Sequence, residues 1–221
     1  WTTDHKLLDT AYMVIRLEHD VDKFSSGLPN ISTIIRGKKV LDLTNSTTAG
    51  NFVVGTKYKI LSLSNSGTAT NFTAIGAASN TVGLEFRATG VGAGTGQARI
   101  FSWSQNNALC LYDYLRDTKY GLGEIDDNIL ISSVITAKSV CDQPISLSAG
   151  GNQPRYTING VVDTAGTLKS NIEIITGSMA GRLVYSGGKF EIYAGRYVAP
   201  AFTVDASQIL GDITVQTKQS R

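Results

Sequence analysis

Gln97-Ala98-Arg99-Ile100-Phe101-Ser102-Trp103-Ser104-Gln105-Asn106-Asn107-Ala108-Leu109-Cys110-Leu111-Tyr112 holds two structural rhythms side by side. The first half, Gln97 to Trp103, is a strand-like run. The second half changes period. Ala108, Leu111, Tyr112 and Leu115 recur at spacings of three and four, which marks one face of a helix. Ser104 or Asn107 is placed to cap it, and the helix is expected to end near Tyr120-Gly121.

Two further helices are predicted downstream. One starts at Asp126 or Asp127, whose carboxylates suit a helix N-terminus, carries Leu130, Val134, Ala137 and Cys141 on one stripe, and stops before Pro144. The other follows Thr167 with Leu168, Ile172, Ile175 and Met179 on one face, and Gly181 is placed to close it with a left-handed residue. Between them Arg155 to Val162 alternates like a strand. A hairpin is expected around Gly187-Gly188, with Leu183 and Tyr185 sharing a face with Phe190 and Ile192. Phe202 to Val204 and Ile213 to Val215 read as continuations of that sheet.

Upstream the pattern is β-like. Ala11 to Leu17 reads as a strand, Glu18 to Asn30 as a polar loop, and Ile31 to Leu43 as two short strands about a Gly37-Lys38 turn. Composition shifts at Asn51. From there to Arg99, Lys57, Lys59, Arg87 and Arg99 stand against the single acid Glu85, while the rest of the chain is close to neutral. This stretch is rich in Gly and Thr and has strand-like runs at Tyr58–Leu63, Asn71–Ile75, Leu84–Ala88 and Gln97–Trp103, each separated by turns. It reads as a small all-β module, residues 45–102, inserted into a discontinuous domain of residues 1–44 and 103–221 that has two possible subdomains. The order of elements gives an α+β class with a mixed or antiparallel sheet or partial barrel and about three helices, rather than a doubly wound parallel sheet.

The 221 residues are 42% hydrophobic and 17% charged, which suits a packed core and not a solvated disordered chain. A net charge of +2 predicts neither sequence-specific nucleic-acid binding nor an anionic membrane partner. No run reaches the roughly 18 apolar residues of a membrane-spanning helix. The opening Trp1 and the strand pattern that closes the chain lead to the expectation of a fragment of a longer protein. Cys110 and Cys141 are too few for a disulfide framework and are expected to pack as small hydrophobes, with a reducing assembly compartment as the default.

The search for chemistry yields no catalytic, cofactor-binding or metal-binding residue and no expected cofactor. Gly90-Val91-Gly92-Ala93-Gly94-Thr95-Gly96 resembles a dinucleotide-binding loop in composition, but a strand follows it where a phosphate cradle needs a helix N-terminus. It reads as a glycine-rich turn. Glu18, Asp20 and Asp22 alternate around His19 without the spacing of a cation cage, and they read as a solvated loop. His5 and His19 have no second ligand at metal-binding spacing. No Gly-x-Ser-x-Gly element is present, and the acids gather at helix starts and turns where capping explains them. Arg36, Lys38 and Lys39 form the densest basic cluster, read as the solvated end of a hairpin or the lining of a DNA channel, with no interleaved aromatic platform. Tyr185, Phe190, Tyr193 and Tyr197 read as core and sheet surface rather than a sugar platform.

Several ordered blocks resemble the tip attachment (host specificity) protein J family of long-tailed phages. The first runs from Ala11-Tyr12 to Arg16-Leu17, then Asp22-Lys23-Phe24, Gly27-Leu28-Pro29-Asn30-Ile31 and Gly37-Lys38-Lys39-Val40. The second contains Asn107-Ala108-Leu109-Cys110-Leu111, Asp113-Tyr114-Leu115, Tyr120-Gly121-Leu122-Gly123, Val140-Cys141-Asp142, and Arg155-Tyr156-Thr157 with Asn159-Gly160. The third contains Asn171-Ile172, Ser178-Met179-Ala180-Gly181, Tyr185-Ser186-Gly187-Gly188-Lys189, Tyr193-Ala194-Gly195 and Val215-Gln216-Thr217. The likeness covers residues 10–44 and 103–221, and the chain departs from it after Asp42. The segment between, with Tyr58-Lys59-Ile60, Asn71 to Ala77 and Phe86-Arg87-Ala88-Thr89-Gly90, is similar to a small module of phage structural proteins.

The resemblance implies a structural, non-enzymatic role at the virion tail tip, after assembly in the host cytoplasm. It implies a central hub or baseplate component that closes the tail tube, forms a homotrimer around the DNA channel, and supports host attachment and DNA passage. Its partners would be other phage tail proteins, with a host cell-surface receptor contacted by other regions or by the insert. The alternative is a binding module in which the inserted β domain recognises a host cell-surface glycan or protein.

Overall fold

The computed structural model describes residues 12–18, 20, 22, 27, 30–200 and 202–211. The chain divides into two compact units between Gln105 and Asn106.

The first unit is built on an antiparallel sheet of β1 (Val40–Thr48), β2 (Lys57–Ser62), β3 (Glu85–Arg87) and β4 (Gln97–Ser102), in the order β1-β4-β2-β3. β1 runs across position 44/45, where composition places the start of the module. Val40 and Leu41 pair with Ser102 and Phe101, so residues 40–44 belong to this sheet. The composition signal came late because Gly and Thr mark the loops of the unit, whereas its first strand has ordinary apolar residues. The pairing shifts register between Leu41 and Ser46. Asp42 turns the chain there, its Oδ1 accepting from the Thr44 N–H at 2.9 Å, the Thr44 hydroxyl at 2.9 Å and the Asn45 N–H at 3.3 Å.

Residues 71–75, expected as a strand, form a 3-10 turn over Phe72–Ile75. Side-chain acceptors select it. Asn80 Oδ1 takes the Phe72 N–H at 2.7 Å, Asn71 Oδ1 takes the Thr73 N–H at 3.2 Å, and Gly76 ends the turn at φ +103°. The turn drops Phe72 into an aromatic cluster with Phe52, Tyr58 and Phe86. Phe52 lies 4.9 Å from Tyr58, while Phe86 meets Phe72 edge-on at 5.5 Å and Phe52 edge-on at 6.0 Å. Ile60, Ile75, Ala88 and Ala98 complete this buried core.

The second unit contains α1 (Asn107–Arg116), α2 (Ile131–Cys141) and α3 (Leu168–Gly177). The cap of α1 is Asn106, not Ser104 or Asn107. Its Oδ1 accepts from the Ala108 and Leu109 N–H groups at 3.1 and 3.2 Å. Its Nδ2 donates to Lys138 O and to Asp142 Oδ1 at 3.1 and 2.8 Å, which ties the start of α1 to the end of α2. α1 stops at Arg116, ahead of the expected Tyr120-Gly121.

Asp126 and Asp127 lie in a 3-10 turn, Asp126–Asn128, rather than at the start of α2. Asp126 Oδ1 accepts from the Tyr112 hydroxyl at 2.7 Å and meets Arg116 Nε at 2.7 Å, so its carboxylate anchors this turn to α1. Tyr112→Phe is expected to lower stability by about 1.5–3 kcal/mol, because the lost donor faces a charged acceptor. Urea denaturation of the two proteins checks it.

Val134, Ala137 and Cys141 are buried on α2, and Ile175 on α3, as their spacing predicts. The Thr167 hydroxyl caps α3 by accepting the Ser170 N–H at 3.1 Å. At the far end the left-handed residue is Ala180, at φ +47°, not Gly181. Gly181 donates its N–H to Thr176 O at 2.9 Å, and a Cβ there would collide with the carbonyl oxygen of Tyr193. The glycine is needed for close approach.

β7 (Arg182–Ser186) and β8 (Lys189–Tyr193) form the expected hairpin, with Leu183 opposite Ile192 and Tyr185 opposite Phe190. Gly187 and Gly188 both have positive φ, +57° and +80°, as a primed two-residue turn requires. Ile192 is buried against this unit's helices, and its N–H donates to Ser133 Oγ at 3.0 Å. A small hairpin, β5 (Pro144–Ser146) with β6 (Asn152–Pro154), precedes the stretch predicted as a strand. Residues 155–162 form no strand, because Arg155 is held to Gln143 Oε1 and the Tyr156 N–H donates to Cys141 O, which uses the chain as a strap.

The class is therefore α+β, with three helices, antiparallel sheets and no closed barrel among the described residues. Beyond residues 71–75 and 155–162, three further strand expectations fail and one falls outside the described residues. Residues 12–17, 31–39 and 202–204 carry no strand, and Ile213–Val215 lie outside the described residues. Strand propensity alone does not make a strand, since a strand needs a neighbour to satisfy its N–H and C=O groups.

Candidate functional site

The glycine-rich loop packs against its own unit. A Cβ at Gly94 would stand 2.7 Å from Thr68 O, and one at Gly96 would stand 2.7 Å from Thr70 Oγ1. Two of the loop's amides have internal acceptors: Gly96 N–H donates to the buried Thr70 hydroxyl at 2.8 Å and Thr95 N–H to Thr68 O at 2.8 Å. β4 follows directly. The glycines at 94 and 96 serve close backbone approach, and the Thr95 and Gly96 amides are spent inside the unit.

The acidic loop is not drawn together. Glu18 Oε1 meets Arg16 Nη2 at 3.3 Å, and Asp20 Oδ1 accepts the Asp22 N–H at 3.1 Å in a local turn. His5 and His19 lie outside the described residues, and no group of three metal-ligating side chains forms among those described. In the basic cluster the Arg36 guanidinium sits 5.2 Å over the Trp103 ring, while Lys38 and Lys39 are exposed. An aromatic partner for Arg36 is something the sequence reading had not found.

The hairpin aromatics split between its two faces. Tyr185 rests against Phe190 at 5.0 Å, and on the other face Tyr193 carries Arg182 over its ring and donates its hydroxyl to Glu191. That hydrogen bond, ahead of the nearby Glu191 charge, raises the Tyr193 hydroxyl above its ordinary pKa.

Neither cysteine is an activated nucleophile. Cys141 is buried and its thiol is raised by that burial. Cys110 is pushed up from a thiol's ordinary 9.0 to about 11 by burial, then by the Asp113 carboxylate and Cys141. Below pH 9 the folded and unfolded thiols are both protonated, so the Cys110 contribution to stability is full. It is lost as the pH rises from 9.0 toward about 11, because only the unfolded thiol ionises readily there. Alkylation of the native protein by iodoacetamide at pH 8 is accordingly expected to be slow, and unfolding in urea should accelerate it by more than about tenfold. Equal rates would contradict the burial.

Two surface features remain. The first is a set of exposed apolar side chains on chain without regular structure. Ile34 is fully exposed, and Val14, Ile15 and Ile35 are exposed as well. In the second unit Val161, Tyr197, Phe202, Val204 and Leu210 are likewise exposed. Fully burying one such side chain is worth about 1.5–3 kcal/mol, so a series of them open to solvent has the chemistry of an assembly surface.

The second is a cleft of about 250 Å3 in the second unit, lined by Tyr114, Lys119, Tyr120, Gly121, Thr164, Gly166, Leu168 and Asn171. Asn171 is buried, and both hydrogens of its Nδ2 are used, by Asp163 O at 2.8 Å and the Tyr114 hydroxyl oxygen at 3.1 Å. Sequence reading missed this cleft because its walls come from segments around 120, 165 and 171 that no local spacing links.

No helix among the described residues is long and apolar enough to cross a membrane. No family model matches the chain. Among curated proteins it is similar to a tip attachment protein J of Escherichia phage SECphi27, 26% identical over 123 residues, which is 54% of this chain. The matched part is 10% of that protein's length. The similarity links the chain to phage tail proteins.

Proposed function

We propose that the chain is a structural, non-enzymatic component of a phage tail tip, from the central hub region that closes the tail tube. The similarity to a tip attachment protein J carries this reading. The exposed apolar side chains around Ile34 and at Tyr197, Phe202, Val204 and Leu210 agree with it, because apolar side chains left open to solvent suit burial against other subunits. In this reading the protein assembles in the host cytoplasm, sits in the virion as a homotrimer about the DNA channel, and meets other tail proteins through those segments. The Gly- and Thr-rich unit is then an insertion carried on the hub.

Crosslinking of intact tails followed by mass spectrometry tests it. Lys38 and Lys39, beside the first exposed segment, are expected to crosslink to other tail-tip proteins or to their counterparts in a second copy. Crosslinks confined to capsid or tail-tube proteins would refute the placement.

A further inference from the structure

The cleft has a built floor with unused hydrogen-bonding capacity. Asp163 O accepts from the Asn171 amide, so the nitrogen must face it and the Oδ1 must face the other way. Among the described residues nothing donates to that Oδ1. The Tyr114 hydroxyl accepts from Asn171 Nδ2, and its own proton has no acceptor among them. Two side chains more than nine-tenths buried, Asn171 at 4% exposure and Tyr114 at 6%, thus present one acceptor and one donor side by side.

The surroundings keep this pair accessible. Gly166 lies in front of Oδ1, where a Cβ would sit 3.5 Å from it, so any larger side chain would screen the oxygen. At the rim Tyr120 is exposed, with the Lys119 ammonium 4.8 Å from its ring centroid. Each member of the pair keeps one hydrogen-bonding position open toward the cleft, which a ligand can fill.

The ligand class follows from size and chemistry. At about 250 Å3 the cleft is below the roughly 300–1,000 Å3 of sites for drug-sized molecules, which leaves room for one small ring. Vicinal hydroxyls each donate and accept, matching Oδ1 and the tyrosine O–H at once, and the C–H face of a sugar suits an adjacent exposed aromatic. We infer that the cleft between the Tyr120 loop and the start of α3 binds a single sugar residue, held by Asn171 Oδ1 and the Tyr114 hydroxyl and flanked by Tyr120. The site is independent of the exposed apolar segments, and its failure would leave the tail-tip reading intact.

The test is a two-dimensional amide NMR titration of the 221-residue protein with methyl glucoside, methyl galactoside and methyl N-acetylglucosaminide. N-acetylalanine methylamide serves as a peptide control. At least one sugar is expected to give saturable shifts at the Asn171 side-chain amide in the millimolar range. Gly166→Val adds bulk in front of Oδ1 at a site with negative φ, and Tyr120→Ala removes the exposed ring. Each is expected to weaken the sugar at least about tenfold with an unchanged melting midpoint. No saturable shift with any of the three sugars, stronger binding of the peptide control, or equal binding by a folded Gly166→Val protein would each overturn the inference.

Discussion

Phe72→Ala is expected to unfold the Gly- and Thr-rich unit at physiological temperature. Phe72 is fully buried and touches Phe52 and Phe86, the rings that close the core above β2 and β3. Removing a buried phenylalanine costs about 3–5 kcal/mol, a large fraction of the roughly 5–15 kcal/mol that holds a domain together. The loss goes beyond the cavity. Phe72 also begins the 3-10 turn whose N–H groups Asn71 and Asn80 satisfy, so an empty site loosens the turn together with the ring cluster. Hydrogen exchange read by mass spectrometry gives the expected pattern: protection lost across residues 40–102 and retained in α1, α2 and β8. Global loss of protection would show that the two units do not fold separately.

The reciprocal substitution is Leu115→Ala. Leu115 has no exposed surface, and it sits at the end of α1 beside the chain that turns back through the Leu115 O to Glu124 N–H hydrogen bond at 2.8 Å. A Leu→Ala cavity in such a place costs about 2–5 kcal/mol, and the helix end limits how far the site can collapse to fill it. Scanning calorimetry is expected to show the transition of the second unit lowered by about 8 °C or more while that of the first stays in place. A single transition shifted as a whole would mean one cooperative body.

What could be read from the sequence was whatever depends on neighbours close in the chain. The helices carry stripes such as Val134, Ala137 and Cys141, and the terminal hairpin has its turn type written in Gly187-Gly188, so the stripes and the hairpin appear where expected, while the end of α1 and the start of α2 do not. What could not be read depends on distant partners. The turn at Phe72 needs Asn80, eight residues on, and residues 71–75 taken alone have the composition of a strand. Arg155–Val162 alternates as a strand should, yet Gln143 and Cys141 hold its start before any ladder can form. The segments at 12–17, 31–39 and 202–204 have strand propensity but pair with no strand among the described residues, which is why they read as sheet in sequence and are exposed without regular structure here.

The same distinction applies to function. The glycine-rich run was settled by local context, the strand that follows it. The Asn171–Tyr114 pair bridges 57 residues and rests on the direction of one amide group, which no spacing rule reports. The basic cluster acquired meaning only when Trp103 was found beneath Arg36.

Cryo-electron microscopy of intact virions of the phage that encodes this chain decides the proposed role most directly. The account predicts density for α1, α2, α3 and the β7–β8 hairpin at the distal end of the tail tube, with Ile34 and Phe202 buried against neighbouring subunits. Tails whose tips lack this fold, or hold it with both residues still facing solvent, would contradict it.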